Sequence, residues 1–293
     1  MKFCKQLLGV NKNASNNACR GELGRLPVRT KAVFRSLKFW INLTYSPTPK
    51  LSCLTLQDSQ SNIHSTFWCH KIKTLLFKIG YGNIWLSIEQ ANPNLNEKEL
   101  LNKIKIRLTD IAKQNWLANL HDDNRKNSTQ QNKLRTYRLF KTTNSLEQYL
   151  ITVPNITDRR LMTKLRISDH SLEIEKGRHK KPYKSPQDRL CPFCKTSTED
   201  EKHFLVKCNL YDNLRQKLTT DLKQRTNLDL DHLSEQNKFT TLINPPQKAQ
   251  SMVAKYIKEC FQLREEKCKL VKGWMNPPWS YICIVIYYTW LCK

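Results

Sequence analysis

Three observations in the 293-residue sequence predict a mainly α fold with one small Cys/His knuckle module and no parallel sheet. Apolar residues recur at spacings of three and four over long stretches, as helices facing a core require. Only 7 glycines are present, well under the usual share of about 7%, which leaves few hairpin turns. Finally, Cys191, Cys194, His203 and Cys208 fall within one short segment. At roughly 100 to 200 residues per domain, the length allows one large domain or two smaller ones and a core that does not depend on disulfides.

In chain order, Leu7, Leu8, Val33, Phe34, Leu37, Trp40 and Ile41 give the first amphipathic pattern, and Gly21, Gly24 and Pro27 mark a turn between its helices. From Asn96 to His121 a single long helix is expected, with Leu100, Leu101, Ile104, Leu108, Ile111 and Leu117 as its apolar stripe. The run His121 to Asn132 is rich in Asn, Ser and Gln and reads as an exposed connection. Further helices are expected over Ser145 to Ile151, Asp158 to Ile167, Tyr211 to Gln224 and Gln247 to Val271. Trp279 to Cys292 is apolar but shorter than the roughly 18 residues of a membrane span, and Asn276-Pro277-Pro278 separates it from what precedes.

Charge narrows the function. Fifty Lys and Arg against 25 Asp and Glu give a net +25, a balance suited to polyanions or anionic surfaces. The excess is greatest early: residues 1–88 hold 13 basic residues against Glu22 and Asp58 alone. Residues 1–45, with Glu22 as their one acid, share this pattern with mitochondrial transit peptides, and a basic face for nucleic acid is expected instead. The 11 cysteines are odd in number and scattered, which fits a reducing nuclear or cytoplasmic setting better than a stapled secreted domain. No phosphate-cradling loop of the G-x-G-x-x-G or G-x-x-x-x-G-K type and no G-x-S-x-G elbow occurs. Asp122 and Asp123, the paired aspartates a polymerase hairpin would need, follow a helix and read as its solvated end.

The Cys/His segment reads Cys191-Pro-Phe-Cys194, eight residues, His203, four residues, Cys208. A C-x2-C pair brings two thiolates to one ion from a tight turn, and the H-x4-C pair supplies two further ligands. Four such donors suit tetrahedral Zn2+ in a closed, structural site. Residues five apart lie about 140° from each other on an ideal helix, so His203 and Cys208 need a distorted or terminating turn to converge. Cys-Pro-aromatic-Cys also resembles the glutaredoxin active site, but no β-α-β pattern surrounds it, and Glu199, Asp200 and Glu201 follow where a positive field is wanted.

Just before the cluster, Lys176-Gly-Arg178-His179-Lys180-Lys181-Pro-Tyr183-Lys184 contains no acid. With Arg166, His170 and Arg189 it is expected to form a basic arm for phosphates, and Tyr183 and Phe193 offer flat faces for bases.

Three stretches match a known pattern: Lys164-Leu-Arg-Ile-Ser-Asp-His-Ser-Leu-Glu-Ile-Glu-Lys-Gly-Arg-His179, Arg189-Leu-Cys-Pro-Phe-Cys194, and Glu199-Asp-Glu-Lys-His-Phe-Leu-Val-Lys-Cys-Asn-Leu-Tyr211. They resemble the CCHC zinc-knuckle region after the reverse transcriptase in non-LTR, LINE-type retrotransposon polyproteins. Phe3-Cys-Lys-Gln-Leu-Leu-Gly-Val-Asn-Lys12 and Gly21-Glu-Leu-Gly-Arg-Leu-Pro27 resemble the segment just beyond the polymerase core of the same proteins. The resemblance implies a fragment of a polyprotein without its polymerase and endonuclease modules. It also implies that Cys191, Cys194, His203 and Cys208 stand at the family's ligand positions, in a region thought to hold nucleic acid. The eight residues before His203 exceed the four of retroviral nucleocapsid knuckles, so base-reading rules do not carry over.

The expected organisation is a basic helical region over residues 1–90, a long helix and polar linker over 91–125, the arm and knuckle over 150–215, C-terminal helices over 216–275 and an apolar tail over 276–293. The expected function is non-catalytic binding of RNA or DNA with low sequence specificity, without membrane or small-molecule substrate. A zinc-stapled helical interaction scaffold and a decayed element product are the alternatives.

Overall fold

The computed structural model describes residues 1–46, 51–61, 67–89, 96–122 and 133–275. The expected linker beyond Asp122 and the apolar tail lie outside these residues. Among them there is no sheet, only two isolated bridges, Leu23 to Leu146 and Leu190 to Thr198. The mainly α expectation therefore holds. The helices fall into two compact units, one formed by residues 24–122 with 143–145, the other by residues 1–23, 123–142 and 146–293. The first 23 residues group with the C-terminal half, and the long helix groups with the residues from 24 onward.

The chain opens with α1 (Lys2–Leu8) and α2 (Asn16–Glu22), which belong to the larger unit. Gly9 ends α1 at φ 66°, and its amide and that of Val10 donate to the Gln6 and Lys5 carbonyls. A left-handed residue satisfies the last carbonyls in this way, and glycine adopts it at least cost.

The smaller unit comprises α3 (Val28–Thr44), α4 (Leu51–Ser61), α5 (Phe67–Lys78), α6 (Gly82–Glu89) and α7 (Glu97–His121). Its core joins Leu37, Trp40 and Ile41 of α3 to Cys69, Ile72 and Leu76 of α5, Ile84 and Trp85 of α6, and Leu100, Ile104 and Leu108 of α7. Trp40 and Trp85 stack with centroids 5.5 Å apart. Asn96 caps α7 by accepting from the Lys98 and Glu99 amides at 3.2 and 3.4 Å, which fixes the start of the helix where the sequence placed it. The buried face of α7 runs through Leu100, Ile104, Leu108, Ala112, Trp116 and Leu120, one residue every four. Leu117, expected in the stripe, is exposed, and its neighbour Trp116 is buried instead.

The larger unit continues with three single turns and four longer helices: α8 (Tyr137–Phe140), α9 (Tyr149–Thr152), α10 (Ile156–Arg166), α11 (Glu173–Lys176), α12 (Asp212–Thr226), α13 (Glu235–Ile243) and α14 (Gln250–Met275). The helix expected over Ser145 to Ile151 is reduced to α9, because Leu146 is tied into a bridge with Leu23 and the Glu147 amide donates to the Glu22 carbonyl. One core holds the unit together, from Tyr149 and Val153 through Leu165, Phe204 and Leu205 to Leu222, Phe239 and Ile257. Cys191 and Cys208 are part of it. Residues 191–211 thus share one core with helices α12, α13 and α14.

Candidate metal centre

The candidate site is built from two turns. In the first, Leu190 bridges Thr198, the Cys191 amide donates to the Ser197 carbonyl at 2.9 Å, and the Lys195 amide donates back to the Cys191 carbonyl at 3.0 Å. Lys195 takes the left-handed conformation, φ 58°, closing the loop so that Cys191 and Cys194 share its concave side. In the second, residues His203–Lys207 form a π turn and the Cys208 amide donates to the His203 carbonyl, five residues back, at 2.9 Å. A π turn adds one residue to an α-helical turn, so residues five apart are brought into line. This is the distortion that the His203 and Cys208 spacing demands.

Widening a turn frees backbone carbonyls, and buried carbonyls need donors. Here the Leu205 carbonyl accepts from the buried Tyr256 hydroxyl of α14 at 2.9 Å and from Arg215 Nε of α12 at 3.2 Å. Arg215 also donates to the Cys208 carbonyl at 3.0 Å. At the other end the Asp200 carboxylate accepts from the His203 amide at 2.7 Å, as an N-terminal cap does.

The four ligand atoms lie within 4.8 Å of one another. Cys191 Sγ is 3.9 Å from Cys208 Sγ, and Cys194 Sγ is 3.4 Å from His203 Nε2. A tetrahedron with sulfur near 2.3 Å and nitrogen near 2.0 to 2.1 Å from its centre has edges of about 3.8 and 3.5 Å. Both measured edges fit. Ser197 Oγ lies 3.2 Å from His203 Nδ1, which leaves Nε2 to face the sulfurs. Cys191, His203 and Cys208 are buried and Cys194 is half-buried.

Within the cluster the thiols and the imidazole shift one another's proton affinity. The Cys191 thiol is pushed up to about 12, by its hydrogen bond with Cys208 and then by burial, and the same bond holds Cys208 below the ordinary thiol value. Burial opposes ionisation of Cys194, but the Thr196 hydroxyl and amide bring it below the ordinary value. Burial likewise opposes a charged His203, and the neighbouring Cys191 and Cys194 outweigh it. Three sulfurs and one nitrogen crowded about one point are what a cation would satisfy, and the group could hold a metal ion.

Two buried ion pairs fasten the module. Glu199 accepts from Arg264 of α14 at 2.7 Å at both carboxylate oxygens, and from the Glu173 amide at the start of α11 at 2.7 Å. Glu201 accepts from Arg135 at 2.7 Å, Ser168 at 2.9 Å and His170 Nε2 at 2.9 Å. Nothing in the local sequence marks Arg264 or Arg135, which lie more than sixty residues away; only the acids beside the cluster hint that cations must meet them.

The residues of the expected nucleic-acid set differ in exposure. Arg166 is 1% exposed, donating to Glu22 at 3.2 Å, Glu147 at 2.5 Å and the Ile243 carbonyl at 2.8 Å. Arg189 is 2% exposed and donates to the Ile174 and Lys184 carbonyls. The His170 ring is buried against Glu201, and Arg178 is held by Glu175 at 2.9 Å with its side chain largely buried. The polar groups of these four side chains are engaged inside the fold. Phe193 is half-buried, with Arg264 over its ring at 6.0 Å. Exposed are Lys176, His179, Lys180, Lys181, Tyr183 and Lys184. Lys180 pairs with Glu173 at 2.6 Å, and Arg189 lies 5.6 Å from the Tyr183 ring centre.

Compared with models of known protein families, with curated proteins and with solved structures, the chain matches none. No helix among the described residues is long and apolar enough to cross a membrane.

Proposed function

We propose that this chain is a zinc-stapled nucleic-acid-binding protein without catalysis of its own. The observation that carries the reading is the placement of Lys176, His179, Lys180, Lys181, Tyr183 and Lys184 in the exposed segment leading directly into the first ligand turn. Zn2+ is the ion of choice for three thiolates and an imidazole at tetrahedral spacing, and a site with four protein donors is structural. Cys191, Cys194, His203 and Cys208 would hold it, and the ion would supply a crosslink between the arm and the helical core. The exposed ammonium groups then neutralise phosphates, and Tyr183 adds a stacking surface.

A second basic surface supports the same reading. Lys31, Arg35 and Lys38 of α3 are exposed on the side of the helix away from Leu37, Trp40 and Ile41. Origin from the region after the polymerase of a non-LTR retrotransposon is part of the proposal and rests on the residues quoted for that resemblance.

The test is RNA affinity of the full chain, zinc-loaded and after chelation, at two salt concentrations. The expected result is binding that falls steeply with salt and is weakened by chelation. Affinity that is flat with salt would overturn the reading and favour an interaction scaffold, for which the exposed edge-to-face pair Phe39 and Trp68 would be the docking feature.

A further inference from the structure

The larger unit contains an open cleft of about 540 Å³, walled by α10, the loop that follows it, α11 and α14. Its size falls in the range of small-ligand sites, and such sites combine apolar walls with a few placed polar groups. Leu161, Phe261 and Cys268 form the apolar part. Of its ionic groups, most are already committed. Arg264 is bound at both ends of the Glu199 carboxylate, Asp169 accepts from the Asn11 amide at 2.7 Å, and Lys269 pairs with Glu265 at 2.9 Å. Two cations remain. Lys164 and Lys176 line the cleft, their ammonium groups have no hydrogen-bond or ion-pair partner among the described residues, and the Ser171 hydroxyl is likewise unbonded.

Two uncommitted ammonium groups and a hydroxyl beside an aromatic wall are the donor set for a phosphate carrying a flat, partly apolar group. Lys176 is also the first residue of the exposed basic arm, so the cleft opens where the arm begins. We propose that this cleft binds a nucleoside phosphate, with Lys164 and Lys176 on the phosphate and Phe261 against the nucleoside. The ligand is either one nucleotide unit of a strand held by the arm or a free nucleotide. The strand form rests on the nucleic-acid reading above; the free form does not.

The experiment uses the zinc-loaded full chain with four probes: adenosine 5′-monophosphate, adenosine, inorganic phosphate and a 12-nucleotide single-stranded RNA. The variants are Lys164→Gln and Lys164→Arg, with Lys217→Gln, exposed on α12 and outside both the cleft and the arm, as the comparison. The expected result is that the monophosphate binds more tightly than adenosine or phosphate, and that Lys164→Gln weakens it about tenfold, as loss of one charge-assisted contact does. Lys164→Arg should retain binding and Lys217→Gln should leave it unchanged. For RNA, Lys164→Gln should make the slope of log affinity against log salt shallower by about 0.7, the signature of one lost phosphate contact on a single strand. A merely structural role for Lys164 would not move that slope.

The outcomes separate the two claims. RNA binding that ignores Lys164→Gln, together with no monophosphate binding, overturns the cleft and leaves the nucleic-acid reading standing. Monophosphate binding without RNA binding upholds the cleft as a free-nucleotide site and overturns that reading. Equal binding of phosphate and monophosphate overturns the nucleoside part, and no binding of any probe overturns both.

Discussion

The Cys208 amide donates to the His203 carbonyl at 2.9 Å, closing a π turn whose ends are two of the four candidate metal ligands. The turn is supported from outside by Tyr256 and Arg215. The ligand geometry is therefore tied to helices α12 and α14 as well as to the local sequence.

That tie makes Tyr256→Phe informative. The substitution removes the buried hydroxyl that donates to the Leu205 carbonyl while keeping the ring. A loss of about 1 kcal/mol in stability is expected, the usual net value of such a bond. Urea unfolding of the metal-free chain measures this, and chelator competition should show weaker metal retention in the variant.

Cys208→Ser removes one thiolate from the cluster. Structural zinc in small modules carries roughly 10 to 16 kcal/mol of apparent binding energy that doubles as folding energy. The variant should lose its metal, and the region from Arg178 to Leu214 should become open to protease. Unchanged zinc content and protease resistance would contradict the ligand assignment.

Acid should release the metal. Without a cation the Cys191 thiol keeps its proton up to about 12, so metal binding at neutral pH must expel it. Lowering the pH raises the proton competition at the thiolates and His203, and affinity falls. Calorimetry in buffers of different ionisation enthalpy should register net proton release on zinc binding; none would indicate that the thiolates are not the ligands.

Breaking the Glu199 and Arg264 pair should be costly. Both side chains are buried, and removing one partner leaves an uncompensated charge at a cost of about 3 to 5 kcal/mol. Arg264→Met alone should therefore destabilise the larger unit strongly. Adding Glu199→Gln should recover part of the loss, and thermal unfolding of the two variants makes the comparison.

In the smaller unit, Asn96→Ala removes the cap that accepts from the Lys98 and Glu99 amides. The expected cost is about 1 kcal/mol. Helix content and melting temperature of the variant are the readouts, with metal content unchanged.

Helices with strong periodicity and a cap were legible in the sequence. Asn96 and the apolar spacing after it located α7 to within one residue, and α10, α12 and α14 lie within three residues of their expected starts. Helix α13 was missed although Ser234 caps it by accepting from the Asn237 amide, because only Phe239, Leu242 and Ile243 mark its apolar face. The ligand spacing was legible as well, since ligand type and separation are local properties.

Burial of charge was not legible. Arg166 sits in a basic stretch, and its partner Glu22 lies 144 residues away in another basic stretch where it stood out as a lone acid. Local composition cannot distinguish a cation waiting for a phosphate from one already neutralised inside the fold. The partner of His170, Glu201, lies 31 residues away and is likewise brought near only by folding.

The central claim is that Cys191, Cys194, His203 and Cys208 hold one zinc ion that staples the basic arm to the helical core. Metal analysis with X-ray absorption on the purified full chain tests it most directly. The account predicts one zinc per chain, with three sulfurs near 2.3 Å and one nitrogen at about 2.0 to 2.1 Å. A chain that takes up no zinc, or a first shell with oxygen in place of sulfur, would contradict it.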